Sequence, residues 1–543
     1  MPPFPDPKAI EADVSAELDR GDPRAALALL RPVAFGLAAE SGGGFRALVG
    51  RLPAEVWEHD PLIAAALGHS YRSSDAPRGA AGLAYFAAAE DAAAADPATP
   101  AQTVAAVLVS HAGGLRAAGR LGQARAKLQQ AQAIIDAGLD GPVPGAMEIR
   151  VRHALESGVL DLHGGRYASA RGHLLTAHGL ATYLGRAESV ECVGALALLD
   201  FVLGDIVAAE RSARESRELA AGSTLGRSGY AVPAMATLLL VDLDRGLDGA
   251  AEDEAALAEA AAHTEWEPYA ALVAGTRQAM LGRAAEALAL LADARRGFLE
   301  WEVAGFGRDV AELVRASQLA RVGRGDEAWE ILSRLRPGEL HVMCPGVHLA
   351  SHLLAGGDLH GAGRALAACE ALGEAHAVRG LLEARLLRGA VAAGLGDHAT
   401  ADLNVDLAFI GMARTGSRAP LRMVPAGVLV SLAERALQRE HSEEVHRLIE
   451  QTRRATDGAP SAIEPLSVRE RLVLAEAQRG ATVSAIAAAM YISPNTVKTH
   501  LRRVYRKLGV TTREEAIRRA RTLGLHEITR DSPVPRNDDT RGT

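Results

Sequence analysis

A short phrase recurs along most of this 543-residue chain: a glycine, usually a polar residue, a short gap and then an alanine. Successive glycines of the phrase are 46, 39, 42, 36, 41, 34 and 39 residues apart, a length that fits one helix pair per repeat. We expect each glycine to end a first helix with a positive φ, and each alanine to let the second helix approach closely. The eight copies are Gly119-Arg120…Ala124, Gly165-Arg166…Ala170, Gly204-Asp205…Ala209, Gly246…Ala251, Gly282-Arg283…Ala287, Gly323-Arg324…Ala328, Gly357-Asp358…Ala362 and Gly396-Asp397…Ala401, with an earlier one at Gly21-Asp22…Ala26.

The stretches between these glycines are rich in Ala and Leu, the strongest helix formers, so the pattern predicts an all-α fold. Regular intervals with some drift are typical of tetratricopeptide-like (TPR-like) helical hairpins, which stack into a superhelix with a concave face. A generic helical domain with chance glycines is the alternative, and eight copies at similar spacing disfavour it. We predict a helical N-terminal part of the array over residues 1–110 and TPR-like repeats over 111–455.

Charge is distributed unevenly along the chain. The whole chain has 59 basic and 67 acidic residues, a net charge of −8. Residues 461–543 have 15 basic and 9 acidic residues, net +6, so the first 460 residues have a net charge of −14. A polyanionic partner is therefore expected to meet the C-terminus.

The three cysteines, Cys192, Cys344 and Cys369, are too widely spaced to indicate a disulfide framework or a zinc site. We expect buried free thiols in a reducing cytoplasm. The N-terminus has no basic stretch followed by an apolar run, so no signal peptide is expected. The longest clean apolar run covers residues 230–241, shorter than the roughly 20 residues that span a bilayer, and no membrane partner is predicted.

No catalytic, metal-binding or cofactor-binding residues are predicted. The chain contains no His-Glu-x-x-His, Cys-x-x-Cys or Gly-x-Ser-x-Gly pattern. A body of helices without alternating strands also excludes a receiver-type acidic pocket.

Four short helices with recognisable caps are predicted after a linker at residues 456–465, which contains Thr-Asp-Gly-Ala-Pro. Ser467 with Glu470, and Thr512 with Glu515, have the spacing of capping boxes that open the first and fourth helices. Thr482 is expected to cap the second helix, and Ser493 followed by a proline to cap the third. The first helix is expected to bury Leu472 and Val473 and to end at Gly480; the third is expected to run from Pro494 to about Leu508 and to end at Gly509.

The third helix has one apolar face and one basic face. Val497, Leu501, Val504 and Leu508 recur at the spacing of a single helix face. Lys498, Arg502 and Arg506 follow another face at intervals of four, and no acidic residue occurs between Ser493 and Lys507. Two short helices joined by a tight turn, the second with a basic face, describe a helix-turn-helix, whose second helix fits the major groove of DNA.

This segment closely resembles the LuxR-type helix-turn-helix. The resemblance covers about residues 460–525, with the domain placed at 466–525 and the helix-turn-helix core at about 483–502. It is carried by Leu466-Ser467…Glu470…Val473-Leu474…Gly480…Ile486-Ala487…Ile492-Ser493…Thr496-Val497-Lys498…His500-Leu501…Val504-Tyr505…Lys507-Leu508-Gly509-Val510…Arg513…Glu515-Ala516.

In that family the third helix enters the major groove. The resemblance therefore implies that Lys498, Thr499 and Arg502 face the bases. It also implies phosphate contacts from Ser493, Thr496, Arg503 and Arg506. The chain departs from the family at residues 482–485, where Thr-Val-Ser-Ala replaces the frequent Ser-Asn-Lys-Glu, so backbone contacts there are not carried over.

The body resembles the C-terminal part of large ATP-dependent LuxR regulators, the maltose-regulon activator family. The resemblance is carried by Leu52-Pro53-Ala54-Glu55…Pro61-Leu62…Leu67, followed by hairpins of about forty residues and the LuxR-type tail. A P-loop needs Gly-Lys-Ser/Thr, and none of the four lysines follows a glycine and precedes Ser or Thr. We therefore predict no P-loop ATPase activity and no cofactor.

Together these patterns predict a bacterial, cytoplasmic, non-enzymatic transcription regulator. Its partners would be double-stranded DNA, bound as a homodimer, a small-molecule or protein effector in the repeat groove, and RNA polymerase. Residues 527–543 are predicted to be a disordered tail. The alternative is a TPR-type interaction scaffold whose helix-turn-helix binds no DNA; an enzyme is supported by no motif.

Overall fold

Helices form nearly all of the regular structure of this protein in a computed structural model, which describes residues 7–72, 82–138, 145–247, 251–303, 305–322, 324–336, 341–372, 376–455, 466–508 and 510–522. No β-strand occurs in these ranges, so the predicted all-α class is confirmed. None of the helices within them is both long enough and apolar enough to cross a membrane. The predicted linker at 456–465, the tail at 527–543, Gly323 and Gly509 lie outside the described residues.

Seven helices form an N-terminal group around a core that contains Leu30, Phe45 and Ile63. They are α1 (Pro7–Asp19), α2 (Pro23–Leu30), α3 (Ala34–Glu40), α4 (Gly42–Arg51), α5 (Ala54–Trp57), α6 (Pro61–Ser70) and α7 (Leu83–Ala95). Pro23 and Pro61 begin their helices at the position where a missing N–H costs nothing, each behind an aspartate cap. The group continues into the following helices, since α6 and α7 both pack on α8.

Eighteen further helices follow in order in the described residues between 101 and 455. They are α8 (Ala101–Ala117), α9 (Leu121–Asp136), α10 (Ala146–His163), α11 (Tyr167–Gly179), α12 (Arg186–Leu203), α13 (Ile206–Ala220), α14 (Val232–Arg245), α15 (Ala251–Ala261), α16 (Glu267–Met280), α17 (Ala284–Glu300), α18 (Phe306–Arg321), α19 (Gly325–Arg334), α20 (Pro345–Ala355), α21 (Leu359–Leu372), α22 (Val378–Leu395), α23 (His398–Thr415), α24 (Ala426–Ala436) and α25 (Glu443–Ala455). Helices that share a repeat phrase, such as α8 with α9 and α22 with α23, pack against each other. Short 3₁₀ turns lie at Arg31–Val33, Ala181–Tyr183, Thr224–Arg227, Gly229–Ala231 and Ala419–Met423.

The phrase glycines end helices as the sequence predicts. At Gly119, φ is +75°, and the Arg120 N–H donates to the Leu115 carbonyl at 2.8 Å, which closes α8 with a left-handed turn. All other described phrase glycines also have positive φ: Gly21, Gly165, Gly204, Gly246, Gly282, Gly357 and Gly396. The repeat phrase therefore marks real helix–helix turns, while the TPR-like label for the array stays a prediction.

The phrase alanines are buried with one exception. Those at 124, 170, 209, 287, 328, 362 and 401 are at most 1% exposed. Ala251 is exposed, so the expectation was wrong there. The inward contacts of α15 come instead from Leu257 and Ala260, which are buried.

The array coils back on itself, so that helix pairs distant in sequence touch. A Cβ placed on Gly119 would lie 2.5 Å from Cε3 of Trp301. The Phe306 N–H donates to the Tyr167 hydroxyl at 2.7 Å, which joins α18 to α11. These contacts link helix pairs four repeats apart.

A buried ion network lies where α8, α10, α12 and the start of α16 meet. Arg116, only 1% exposed, donates from Nε to Glu156 and from Nη2 to Glu191, both at 2.8 Å, and also pairs with Glu265. Arg72 reaches the same Glu191 carboxylate at 2.9 Å. Burial raises the pKa of Glu265, although Arg116 opposes the shift. The space between these helices therefore contains buried charged side chains, and each of them needs an oppositely charged partner to be stable there.

Candidate nucleic-acid interface

The C-terminal unit has four helices: α26 (Val468–Gln478), α27 (Val483–Ala489), α28 (Pro494–Leu508) and α29 (Arg513–Thr522). The predicted span of the third helix is confirmed, and Gly480, which ends α26, has a φ of +83°. Buried residues from all four helices, together with Leu466 just before α26, form the core of the unit. Among them are Leu466, Val473, Leu474, Ala477, Ile486, Val497, Leu501, Val504, Leu508, Ala516 and Ala520.

The predicted caps are present. The Glu470 N–H donates to Ser467 Oγ at 3.3 Å, and the Ser467 N–H donates to the Glu470 carboxylate at 2.7 Å, which completes the capping box of α26. Thr512 and Glu515 exchange the same pair of bonds at the start of α29. Thr482 accepts from the Ala485 N–H at 3.2 Å. These bonds satisfy N–H groups that a helix leaves without internal partners.

One expectation about the core was wrong. Leu472 is 50% exposed, whereas Val473 and Leu474 are buried. The inward stripe of α26 runs through residues 470, 473, 474 and 477, and Leu472 lies off that stripe by one residue.

The turn between α27 and α28 is tight. Tyr491 has a φ of +54°, the left-handed conformation of a tight turn, and its side chain is 96% exposed. Ser493 then caps α28: its Oγ accepts from the Thr496 N–H at 3.1 Å and lies 2.8 Å from the Thr496 hydroxyl. The N-terminal end of α28, where the helix dipole is positive, therefore begins at an exposed serine cap.

Helix α28 has the two faces that the sequence predicts. Val497, Leu501, Val504 and Leu508 are all buried, at 0–6% exposure. Lys498, Thr499 and Arg502 are exposed on the other side, as are Arg503 and Arg506. Thr499 donates to the Asn495 carbonyl at 3.0 Å, which leaves its methyl group and a lone pair outward. All seven predicted DNA-binding residues therefore lie on α28 or at its cap, Ser493 exposed and Thr496 half-buried.

Two features of this unit could not be read from the sequence pattern. Lys507 belongs to the basic run but turns inward, where its Nζ lies 2.8 Å from Oε2 of Glu470, with side-chain exposures of 9% and 3%. Tyr491 stands exposed beside the start of α28, and only its left-handed turn position explains why its ring is so placed.

The unit packs on the helical body through its other side. Helix α29 contacts α18 and α19, and Arg471 on α26 lies 3.4 Å from the buried Asp358 carboxylate. The exposed face of α28 is thus available while the unit is docked.

Within the described residues, no ion pair or hydrogen bond engages the side-chain charges of Lys498, Arg502 and Arg503. Three cations project together from a rigid helix whose opposite face is fixed in a core. Such a face binds an extended polyanion, because phosphates attract the charges and long side chains reach base edges.

The comparisons with known proteins agree with this geometry. Residues 464–520 match the family described as bacterial regulatory proteins, luxR family. Over 55 residues the chain is 51% identical to "Probable transcriptional regulatory protein NarL" of Mycobacterium tuberculosis and 49% identical to "Probable transcriptional regulatory protein SgaR" of Hyphomicrobium methylovorum. Each match covers 10% of this chain and 26% of the relative, so the chain spans about a quarter of the curated relatives it matches. Residues 464–520 are a LuxR-family domain.

Proposed function

We propose that this protein is a sequence-specific DNA-binding transcription regulator that inserts α28 into the major groove. The observation that carries the proposal is the exposed cationic face of α28, held opposite a fully buried apolar stripe within a LuxR-family domain. The names of the relatives, which describe probable transcriptional regulatory proteins, support the same reading. The function is one of binding and requires no catalytic group.

Base contacts are assigned to Lys498, Thr499 and Arg502. Lys and Arg donate to guanine acceptors, and the outward threonine methyl group suits thymine. Phosphate contacts are assigned to Ser493, Thr496, Arg503 and Arg506, which flank these residues and position the helix.

A single small domain contacts few bases, so we propose binding as a homodimer to two half-sites about one helical turn apart. The helical body would then sense a small-molecule or protein effector, and RNA polymerase would be a further partner on DNA. These roles, like the cytoplasmic location they imply, rest on the proposed DNA binding and on the body's resemblance to the maltose-regulon activator family.

The test measures binding of the full chain to a DNA site obtained by selection from random duplexes. Lys498→Ala and Arg502→Ala should each weaken binding by about 1–3 kcal/mol, or roughly 5- to 150-fold in Kd, in fluorescence anisotropy. Arg217→Ala, which removes an exposed cation from α13 of the body, is the matched control and should bind like the wild type.

Salt distinguishes the two classes of contact. Arg503→Ala should weaken binding to all sequences alike and lower the slope of log K against log salt by about 1. Wild-type affinity in both Lys498→Ala and Arg502→Ala would refute the placement of α28. A chain with no affinity for any duplex would favour the alternative, an interaction scaffold whose helix-turn-helix binds no DNA.

A further inference from the structure

Four metal-ligating side chains from one 36-residue segment, residues 341–376, lie near one another in the body, far along the chain from α28. His341 and Cys344 lie in the connection that leads into α20, Cys369 lies in the last turn of α21, and His376 lies two residues before α22 begins. All four are buried, at 9%, 3%, 3% and 6% exposure.

Three of the ligand atoms lie close together, and the fourth lies beside one of them. The sulfur atoms of Cys344 and Cys369 are 3.0 Å apart, and the ligand atoms of His341, Cys369 and His376 all lie within 4.8 Å of one another. In a tetrahedral zinc site with bonds of roughly 2.0–2.3 Å, neighbouring ligand atoms are about 3.6 Å apart. His341, Cys369 and His376 thus form a compact group of three ligand atoms, and Cys344 lies beside it through its contact with Cys369; side-chain rotations would have to bring the four atoms to that distance.

The imidazole nitrogens of this cluster lack the partners that buried polar atoms normally have. His341 Nδ1 and both ring nitrogens of His376 are buried without a well-aligned hydrogen bond among the described residues, although backbone groups of His341 and Cys369 lie near the His376 ring. The two rings meet edge to face, with centroids 4.9 Å apart. A buried nitrogen without a partner needs an explanation, and coordination of an ion between the rings and the sulfurs supplies one.

The backbone around the cluster is shaped to bring the ligands together. His341 has a φ of +46°, a conformation that non-glycine residues adopt at a cost and that often accompanies functional sites. Gly380 on α22 faces the cluster: a Cβ there would lie 2.7 Å from the His341 carbonyl oxygen and 3.3 Å from His376 Nδ1. The absence of a side chain at residue 380 therefore permits the approach of both histidines.

We propose that His341, Cys344, Cys369 and His376 bind one Zn²⁺ ion. Two thiolates and two neutral imidazoles form a closed tetrahedral donor set of the kind that structural zinc sites use. Two thiolate charges cancel the charge of the ion, which suits a buried site. The ion would tie the connection before α20 to the junction of α21 and α22, and so fix two neighbouring helix pairs relative to each other.

The test uses the full-length chain, purified under a reductant and loaded with zinc alone. We expect one zinc ion per chain by elemental analysis, and a higher Tm with zinc than after chelation, because an ion that binds only the folded state stabilises it. Cys344→Ser and Cys369→Ser should each abolish binding. Cys192→Ser, at a buried cysteine on α12 outside the cluster, is the matched control and should keep one zinc ion.

Cobalt substitution of the wild-type chain provides a reading that does not depend on whether the serine variants fold. Sulfur-to-cobalt charge-transfer absorption with intense ligand-field bands, typical of tetrahedral Co²⁺, is expected, and both should disappear in His376→Gln. Three outcomes would overturn the proposal. The first is zinc bound equally by Cys192→Ser and both cluster variants, and the second is weak cobalt bands typical of octahedral coordination. The third is a Cys344–Cys369 disulfide that persists in reductant with no bound metal.

Discussion

Replacing Lys507 by methionine is expected to loosen the C-terminal domain without removing a DNA contact. Lys507 Nζ donates to the Glu470 carboxylate at 2.8 Å, and the same carboxylate caps α26 by accepting the Ser467 N–H. Both charged side chains are almost completely buried. The pair thus joins the C-terminal end of α28 to the N-terminal end of α26.

The expected loss in the free energy of unfolding depends on which interactions remain after each substitution. Methionine retains the aliphatic stem of Lys507, so the loss is mainly a charge-assisted hydrogen bond, and about 2 kcal/mol is expected. Glu470→Gln replaces the anionic partner of Lys507 by a neutral amide. Breaking a buried ion pair costs roughly 3–5 kcal/mol, and because lysine can shift its end toward water, about 3 kcal/mol is expected. The double variant should lose less than the sum of both, by about 1 kcal/mol or more.

Two measurements report separately on the body and on this domain. All four tryptophans, Trp57, Trp266, Trp301 and Trp329, lie in the body, so tryptophan fluorescence reports on the body, whereas amide hydrogen exchange can be followed in the C-terminal domain itself. Tryptophan fluorescence should therefore be unchanged. Amide exchange in α26 and α28 should accelerate roughly 30-fold in Lys507→Met and roughly 150-fold in Glu470→Gln. Arg503→Met, which removes an exposed cation from the same helix, is the control and should exchange like the wild type.

The contribution of Glu470 to stability changes with pH in a direction that its pKa determines. Although burial raises it, the hydrogen bonds from Lys507 and Ser467 hold the pKa of Glu470 below its usual value of 4.5. Its stabilising contribution is therefore complete above about pH 4.5 and is lost as the pH falls through the lower folded-state pKa. The difference between wild type and Glu470→Gln should shrink accordingly. Exchange in Lys507→Met as slow as in the wild type at neutral pH would refute the reasoning.

Two further predictions concern the body. Arg116→Met leaves three buried carboxylates without their shared cation, so the free energy of unfolding should fall by about 3–5 kcal/mol, measured by denaturant unfolding with tryptophan fluorescence; an unchanged midpoint would contradict the role given to the network. Gly396→Ala should cost only the roughly 1–2 kcal/mol of a left-handed residue, since a Cβ there meets nothing within 4 Å. Gly119→Ala should cost more, because its Cβ would lie 2.5 Å from the Trp301 ring, and equal losses would refute the proposed contact.

Features set by neighbouring residues could be predicted from the sequence. The turn at Gly119 needs only a positive φ, and the start of α26 needs only Ser467 and Glu470 three residues apart. The span of α28 follows equally from its proline start and from an apolar stripe with a period of 3.6 residues. Each of these signals lies within one or two helical turns, so no knowledge of the tertiary fold was required.

Features that depend on contacts across the coil could not be predicted. Cys344 and Cys369 are 25 residues apart, and no local spacing rule indicates that α21 returns one sulfur to within 3.0 Å of the other. Arg116 and Glu265 are separated by 149 residues, yet they pair in the interior. Leu472 shows the opposite failure: its hydrophobicity predicted burial, whereas the phase of α26 places it outward.

The basic residues of α28 also illustrate what charge patterning leaves undecided. Lys507 and Arg503 carry the same formal charge four residues apart, but Lys507 faces a buried carboxylate and Arg503 faces solvent. Salt screens exposed charges strongly and buried pairs much less. A range of ionic strength should therefore exist in which DNA is released while α28 keeps its exchange protection. Helix α28 both stabilises its domain and, in our proposal, contacts phosphates. Salt can separate these two roles because the buried Lys507 stabilises the domain, whereas the exposed Arg503 is available to phosphates.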